Sequence, residues 1–149
     1  MPPVVDESVL SDGGIKVDQS GATLTITLAR PDSRNSQTPA TWRALSAVAT
    51  SLPSDVRIVV LRGEGKSFSA GLDKRMFAEG VDGELPLSGM ANLSDADFDG
   101  AIAGFQHAFT CWRDLDAIVI AAVQGHAIGA GFQLALGADL IVVANDVQF

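Results

Sequence analysis

The stretch "GHAIGAGFQLALGADL", residues 125–140, decides the fold because a strand pattern changes there into a helix pattern through a glycine-rich turn. The segment before it, "AIVIAAVQ" at 117–124, predicts a buried strand, since it is a short apolar run rich in β-branched residues. Glycine lets a ligand approach the backbone, and the first turn of a helix leaves backbone N–H groups unpaired. The stretch therefore predicts a turn that can hold an anionic group.

Strand patterns recur on both sides of this stretch. Leu24, Ile26 and Leu28 alternate with threonines, which is the period of a half-buried strand. The preceding "QSG" at 19–21 predicts a hairpin turn. Further core strands are predicted at 57–65 and 117–123, and a fourth strand at 139–145.

Helix patterns lie between these strands. Thr38 is the predicted N-cap, and Pro39 the first residue, of one helix, while Ser94 and Asp97 resemble the capping box of a second. One face of that second helix carries a stripe predicted to pack in the core, made of Phe98, Ile102, Phe105, Phe109 and Trp112. The segment 131–138 is apolar nearly all round and predicts a buried helix. Strands alternating with helices predict an α/β fold around a largely parallel sheet.

The chain predicts one globular domain preceded by an arm. With 149 residues, 47% of them hydrophobic and 19% charged, it is long and apolar enough for a substantial core. Residues 1–14 are predicted to be a flexible N-terminal arm, and residues 15–149 the core. The glycine-rich, acidic segment 78–100 predicts a long surface loop.

Composition excludes several classes of protein. A net charge of −8 argues against nucleic-acid binding, and the longest apolar run is too short to cross a membrane. Cys111 is the only cysteine, which excludes an internal disulfide and, without a signal-peptide pattern, indicates a cytoplasmic location. Only His107 and His126 could join Cys111 in a cluster, so no metal site is expected. Eight of the ten basic residues nevertheless lie between Arg30 and Arg75.

A second turn of the same kind follows the strand at 57–65, in "GKSFSAGLDKRMF" at 65–77. Ala70 and Gly71 are small enough to let a ligand near the backbone, and Asp73 is placed to cap a short helix. Two such turns on neighbouring strands can aim two backbone N–H groups at one oxygen atom. That arrangement is an oxyanion hole, which does not depend on side-chain type.

A dinucleotide site is an alternative interpretation of the glycines. Gly125, Gly129 and Gly131 have a spacing that resembles the nucleotide turn of short-chain dehydrogenases. Three features oppose this alternative. The motif lies near the end of the chain, the ribose-binding acid expected about 20 residues further on has almost no room, and the sequence has no tyrosine.

The two turns together resemble the crotonase, or enoyl-CoA hydratase/isomerase, superfamily. The resemblance rests on "SFSAGLD" at 67–73, on 125–140, and on the "RP…N" turn within "ARPDSRNSQT" at 29–38, and it runs from Ile15 to Phe149. It implies a spiral of ββα units, here the part before the C-terminal helices of that fold. It also implies an enzyme, a lyase or an isomerase, that assembles as a trimer or dimer of trimers. Its ligands would be acyl-CoA thioesters, with coenzyme A entering as part of the substrate and no separate cofactor.

The resemblance also assigns the site residues. The thioester oxygen would lie between the N–H groups of Leu72 and Ala130, Ala130 replacing a frequent glycine, with Gln133 as the third catalytic position. The predicted substrate-binding residues are Arg34, Ala70, Gly71, Asp73, Lys74, Arg75 and Gly129. Among them, the backbone near Ala70 would meet the adenine, and Arg34, Lys74 or Arg75 would lie near the CoA phosphates.

Gln133 departs from the hydratase pattern, in which a glutamate at this position handles the attacking water. A neutral amide cannot act as a general base. The family's second acid would lie a few residues past Phe149. The leading hypothesis is therefore an isomerase-like enzyme that stabilises a thioester enolate, and the alternative is a CoA-thioester binding protein with little catalysis.

Other polar residues have weaker claims to a role. His126 lies in the glycine turn, where it packs under the turn, binds backbone or acts as a base, and Asp139 is expected to bind nearby backbone. Six acidic residues lie in the loop that would overhang the acyl pocket, and four of them are further candidates for a catalytic role: Asp82, Glu84, Asp95 and Asp97.

Overall fold

The strands form one sheet in chain order. The computed structural model describes residues 4–149, and within them the five strands are β1 (Ile15–Ser20), β2 (Thr23–Leu28), β3 (Ile58–Gly63), β4 (Ile118–Val123) and β5 (Leu140–Val143). β1 and β2 pair antiparallel as the predicted hairpin, and every later pair is parallel. The predicted hairpin and the largely parallel sheet are confirmed.

A helix lies between the two strands of each parallel pair, since parallel neighbours need a crossover connection. These helices are α2 (Pro39–Thr50), α3 (Asp95–Thr110) and α4 (Ala130–Leu136), with α1 (Glu7–Gly13) preceding the sheet. Thr38 caps α2 by accepting a hydrogen bond from the Thr41 N–H, and Pro39 is its first residue, as predicted. Ser94 caps α3 through the Asp97 N–H, while its hydroxyl donates to the Asp97 carboxylate.

The core lies between the sheet and the helices. Leu24, Ile26, Val59 and Val119 of the strands are fully buried against side chains that include Leu45 of α2. The alternation predicted for β2 is confirmed on its core face. No helix within residues 4–149 combines the length and the apolar character that a membrane crossing demands.

The predicted flexible arm is wrong where the structure describes it. Residues 7–13 form α1, which begins at the Asp6 N-cap and ends at Gly14 in the left-handed conformation. Val9 and Leu10 pack against the core, and this burial offsets the entropy cost of ordering the segment. The arm prediction for residues 1–3 lies outside the described residues.

The predicted burial is also wrong at two places. Of the aromatic stripe on α3 and just beyond it, Trp112 is buried, whereas Phe98 is 39% exposed. In the segment predicted as a buried helix, Leu134 is buried but Leu136 is 48% exposed, and all four residues of β5, predicted as a strand, are exposed. Apolar composition indicated burial here, but within this chain β5 has a neighbour on one edge only.

Three short backbone bridges connect the loops beyond the carboxyl ends of the strands. They join Gln37 to Leu72, Ser69 to Ala127, and His126 to Gln148. We call these three pairs the bridge layer. Because it fixes the loops against one another by backbone hydrogen bonds, it positions both glycine turns.

Candidate functional site

A cavity of about 660 Å³ lies between the two glycine turns, α3 and α4. Seven of the ten residues predicted from the sequence line it, namely Ala70, Gly71, Leu72, Lys74, Gly129, Ala130 and Gln133. The structure therefore brings both turns to one space, although they are separated by almost sixty residues of chain.

The apolar wall of this cavity was missed by the sequence analysis. Its lining includes Trp42, Phe77, Leu87, Ile102, Phe105 and Phe109. The Trp42 ring lies 4.8 Å from that of Phe105 and 5.8 Å from that of Phe109, centroid to centroid. The spacing of Phe105 and Phe109 was visible in the sequence, but helical spacing does not distinguish a core face from a cavity wall.

The bridge layer leaves two backbone donors free at the cavity. The Gln37 N–H donates to the Gly71 carbonyl (2.7 Å), and the Asp73 N–H donates to the Gln37 carbonyl (2.9 Å), so Gln37 holds the backbone on both sides of Leu72. Ala130 opens α4. Neither the Leu72 N–H nor the Ala130 N–H donates a hydrogen bond to any residue within 4–149.

Glycine is required where the two turns meet. Gly71 has a φ of +94°, and a Cβ built on it would lie 2.6 Å from the Ile128 carbonyl oxygen and 3.6 Å from the Ala130 nitrogen. A Cβ on Gly131 would collide with the Ser69 carbonyl oxygen. The two turns therefore pack backbone against backbone at these glycines.

Asp73 does not line the cavity but binds protein groups instead. It is almost fully buried, and its carboxylate accepts hydrogen bonds from the Arg75 backbone and guanidinium and from Arg30. The Arg75 hydrogen bonds hold the pKa of Asp73 well below its ordinary value, against the effect of burial. Asp73 caps the short 3₁₀ helix Lys74–Met76, as the sequence indicated.

The remaining basic candidates differ in position. Lys74 is exposed and lines the cavity, whereas Arg75 is paired with Asp73. Arg34 is exposed, and its carbonyl accepts a hydrogen bond from the Ala70 N–H at 2.9 Å. Arg34 therefore lies beside the turn rather than in the cavity lining, and its assignment to substrate binding stays a prediction.

Gln133 lines the cavity from α4, and Gln106 faces the same space from α3. No Asp or Glu among residues 4–149 lines this cavity. Among the same residues, no group of three or more His, Cys, Asp or Glu side chains could hold a metal ion.

The other polar candidates bind protein groups. The His126 ring Nδ1 lies 3.0 Å from the Ser67 hydroxyl, which itself is buried. The Asp139 carboxylate accepts a hydrogen bond from the Val119 N–H (2.8 Å), which confirms the predicted backbone contact. Asp82 accepts a hydrogen bond from the Ala40 N–H (3.0 Å), so it holds the segment before α3, which begins at Asp95, to the first turn of α2.

This α/β sheet carries two glycine turns, and each turn contributes to one cavity a residue whose backbone N–H makes no hydrogen bond within residues 4–149. The chain belongs to the enoyl-CoA hydratase/isomerase family, which it matches over residues 18–149. The crotonase-superfamily resemblance and the α/β fold predicted from the sequence are confirmed.

Similar proteins carry related names. Carnitinyl-CoA dehydratases from Salmonella enteritidis and Salmonella gallinarum are each 40% identical over 139 residues. That alignment covers 91% of this chain and 47% of each relative, so the chain spans about half the length of the curated relatives it matches.

Solved structures agree with this assignment. A Thermobifida fusca protein described as an enoyl-CoA hydratase in complex with acetoacetyl-CoA superposes with a TM-score of 0.87 and 42% identity. The match covers 99% of this chain and 56% of that one. An enoyl-CoA hydratase/carnitine racemase from Magnetospirillum magneticum matches with a TM-score of 0.74 and 27% identity, over 89% and 47% of the two chains.

Proposed function

We propose that this chain carries the thioester site of an acyl-CoA-processing enzyme that stabilises an enolate. The observation that carries the proposal is the pair of unpaired donors, the N–H groups of Leu72 and Ala130, on one cavity. The names of similar proteins support the ligand class, since they refer to carnitinyl-CoA, acetoacetyl-CoA and CoA.

The proposed oxyanion hole acts on the thioester carbonyl oxygen. When a proton leaves the carbon next to the carbonyl, negative charge moves to that oxygen, and two donors already in place stabilise it without reorganisation. Loss of one such donor typically costs about 2.7–4 kcal/mol of transition-state stabilisation. The apolar wall around Trp42 and Phe105 would hold the acyl chain.

The CoA portion would lie along the 65–77 turn. The Ala70 carbonyl oxygen accepts no hydrogen bond from residues 4–149, which leaves it free for the adenine amino group. Lys74 and Arg34 are exposed cations near this turn and would attract the CoA phosphates in an otherwise acidic protein. Gly129, where a Cβ would meet no protein atom within 4 Å, would give the ligand room to approach, and Gly71 lets the two turns pack together.

Gln133 favours an isomerase-like reaction over efficient hydration. Hydration needs one group to deprotonate water and another to protonate the substrate carbon, and a neutral amide supplies neither. Double-bond isomerisation moves one proton from one carbon to another, so a single acid–base group is sufficient. That group would come from outside the described residues.

A CoA-thioester binding protein with little catalysis is the second candidate. The observation that favours it is the lack of any Asp or Glu among the residues within 4–149 that line the cavity. The two candidates share the oxyanion hole and differ in acid–base chemistry. Gln133→Glu distinguishes them, because a general base usually contributes about 10²–10⁴-fold in rate.

Hydration of a trans-2-enoyl-CoA, followed as loss of enoyl absorbance, is the assay for that variant. We expect slow hydration by the wild type and a measurable gain in Gln133→Glu where a second acid is present. Fast hydration by the wild type with no gain in the variant would show that another residue is the base.

The ligand class has a separate test. Calorimetric titration should show that an acyl-CoA binds more tightly than NAD or a free fatty acid. Preference for NAD would instead support the dehydrogenase interpretation of Gly125, Gly129 and Gly131.

The assembly is also part of the proposal. Leu140, Val142 and Phe149 are each more than half exposed, and these exposed apolar side chains support a contact with another copy of the chain. We expect a homo-oligomer, a trimer or dimer of trimers, acting in the cytoplasm. Light scattering that shows a stable, well-folded monomer of the 149-residue chain would contradict this expectation.

A further inference from the structure

Gln37 is a fully buried polar side chain with both ends of its amide hydrogen-bonded. Its Nε2 donates to the Ser69 hydroxyl at 3.0 Å, and its Oε1 accepts from the Trp42 indole N–H at 2.9 Å. Burying an amide costs free energy unless both ends are hydrogen-bonded, so the fold must hold both partners of Gln37 in place. Trp42 forms part of the cavity wall.

Ser69 lies at the junction of the two glycine turns. Its hydroxyl donates to the Asn35 carbonyl (2.8 Å) and accepts from the Gly71 N–H (3.3 Å). Its backbone N–H donates to the His126 carbonyl, and its carbonyl accepts from the Ile128 N–H. Ser69 therefore contacts the turn that carries Leu72 and the turn that carries Ala130.

The chemistry of the neighbours fixes the orientation of the Gln37 amide. An indole N–H can only donate, so it requires the amide oxygen. The single proton of the Ser69 hydroxyl is used on the Asn35 carbonyl, so Ser69 requires the amide NH₂ group. A carboxylate at this position would accept at both ends and would pull that proton away from Asn35.

We propose that Gln37 is a positioning residue, which couples the Trp42 wall to Ser69 and so fixes the spacing between the Leu72 and Ala130 donors. This inference rests on the proposed oxyanion hole. The Gln37 backbone holds both sides of Leu72 while its side chain holds Ser69, so one residue controls the donor through two independent sets of contacts. An acyl group packed on Trp42 would contact the residue that hydrogen-bonds to Gln37, so the bound substrate would be connected to the same hydrogen-bond network.

Gln37→Met tests the proposal, because Met keeps the length of the side chain and removes both hydrogen bonds. Displacing a catalytic group by about 1 Å can cost about 10²-fold in rate, so we expect kcat for a trans-2-enoyl-CoA to fall by about that factor. KM should change little, since the CoA portion binds elsewhere. Val48→Ala, a fully buried position on the core face of α2, is the control for lost stability and should keep the wild-type kcat.

A binding measurement separates this inference from the proposed function. Infrared spectra of trans-2-butenoyl-CoA, labelled with ¹³C at the carbonyl, report how strongly the two donors polarise the C=O bond. We expect the carbonyl band to move to lower wavenumber on binding to the wild type and to the Val48→Ala control, and to move less in Gln37→Met.

The outcomes are distinguishable. A wild-type complex without any carbonyl shift would contradict the oxyanion hole itself and, with it, the positioning role. A wild-type shift that Gln37→Met retains in full, with unchanged kcat, would overturn the role of Gln37 alone. Where Gln37→Met does not fold, Trp42→Phe decides, since it keeps an aromatic wall and releases only the Oε1 end of the amide. We expect an intermediate carbonyl shift in that variant, and a full shift would refute the coupling.

Discussion

Gly71→Ala is the sharpest test of the contact between the two turns. At φ +94° an alanine is strained, which costs about 1–2 kcal/mol. The new Cβ would lie 2.6 Å from the Ile128 carbonyl oxygen, whereas ordinary contact begins at 3.4 Å. Because that oxygen belongs to the backbone, the turns must separate by about 0.8 Å.

This separation acts directly on the proposed donors, since Gly71 precedes Leu72 and Ile128 lies two residues before Ala130. A displacement of nearly 1 Å costs about 10²-fold in rate when it misaligns a catalytic group. We therefore expect Gly71→Ala to lose about 10²-fold in turnover of an enoyl-CoA, measured by absorbance. We also expect it to lose about 1–3 kcal/mol of unfolding free energy, measured by urea denaturation.

Gly21→Ala is the matched control. Gly21 also has a positive φ, +57°, but a Cβ there meets no atom within 4 Å, and the residue lies in the β1–β2 hairpin far from the cavity. It should show the strain cost without the loss of activity. Equal activity in Gly71→Ala and Gly21→Ala would refute the idea that close packing of the turns sets the donor geometry.

Three further predictions concern charged residues around the site. Because its arginine partners keep the folded-state pKa of Asp73 below the unfolded value of about 3.9, Asp73→Asn should cost about 1–3 kcal/mol at pH 7. This difference should shrink as pH falls below about 4, and a pH-independent difference in urea denaturation would contradict the ion-pair explanation. Lys74→Gln should weaken CoA-thioester binding by at most about 5-fold, most strongly at low salt, as measured by calorimetric titration. A loss of affinity that does not depend on salt would contradict the proposed position of the CoA phosphates near Lys74. Asp82→Ala should cost about 0.5–2 kcal/mol of unfolding free energy because it uncaps Ala40, whereas Asp82→Asn keeps an acceptor and should cost less; equal losses would rule out capping.

The two turns were predictable from the sequence because clustered glycines after a strand pattern indicate a tight turn or a close approach of the backbone. Gly71 and Gly131 lie where the backbone of one turn packs against the other and leaves no room for a Cβ, so the glycines themselves mark the constraint in the sequence. Thr38 and Pro39 likewise mark a helix start through local chemistry. Features fixed by local backbone geometry are therefore visible in a single sequence.

The cavity wall and the buried network depend on tertiary packing and were not predictable in the same way. Phe105 has the same helical spacing whether it faces a core or a cavity, and only the position of Trp42 on another helix decides which. Gln37 has no local signal, since its partners lie five and thirty-two residues away in the chain. The N-terminal arm was misjudged for a similar reason, because Val9 and Leu10 acquire their burial from the folded core.

The order of the sheet, with every strand next to its neighbour in the chain, has a consequence for biosynthesis. β2 and β3 pair Thr23 with Ile58, but β3 and β4 pair Ile58 with Ile118, about 60 residues later. Closing that loop costs about 1 kcal/mol more than the roughly 20-residue closure between β4 and β5. At a synthesis rate of about 5–20 residues per second, the open edge of β3 waits about 3–12 s for its partner. The nascent chain thus presents a bare strand edge during translation, and that edge is where mispairing between neighbouring nascent chains is expected to begin.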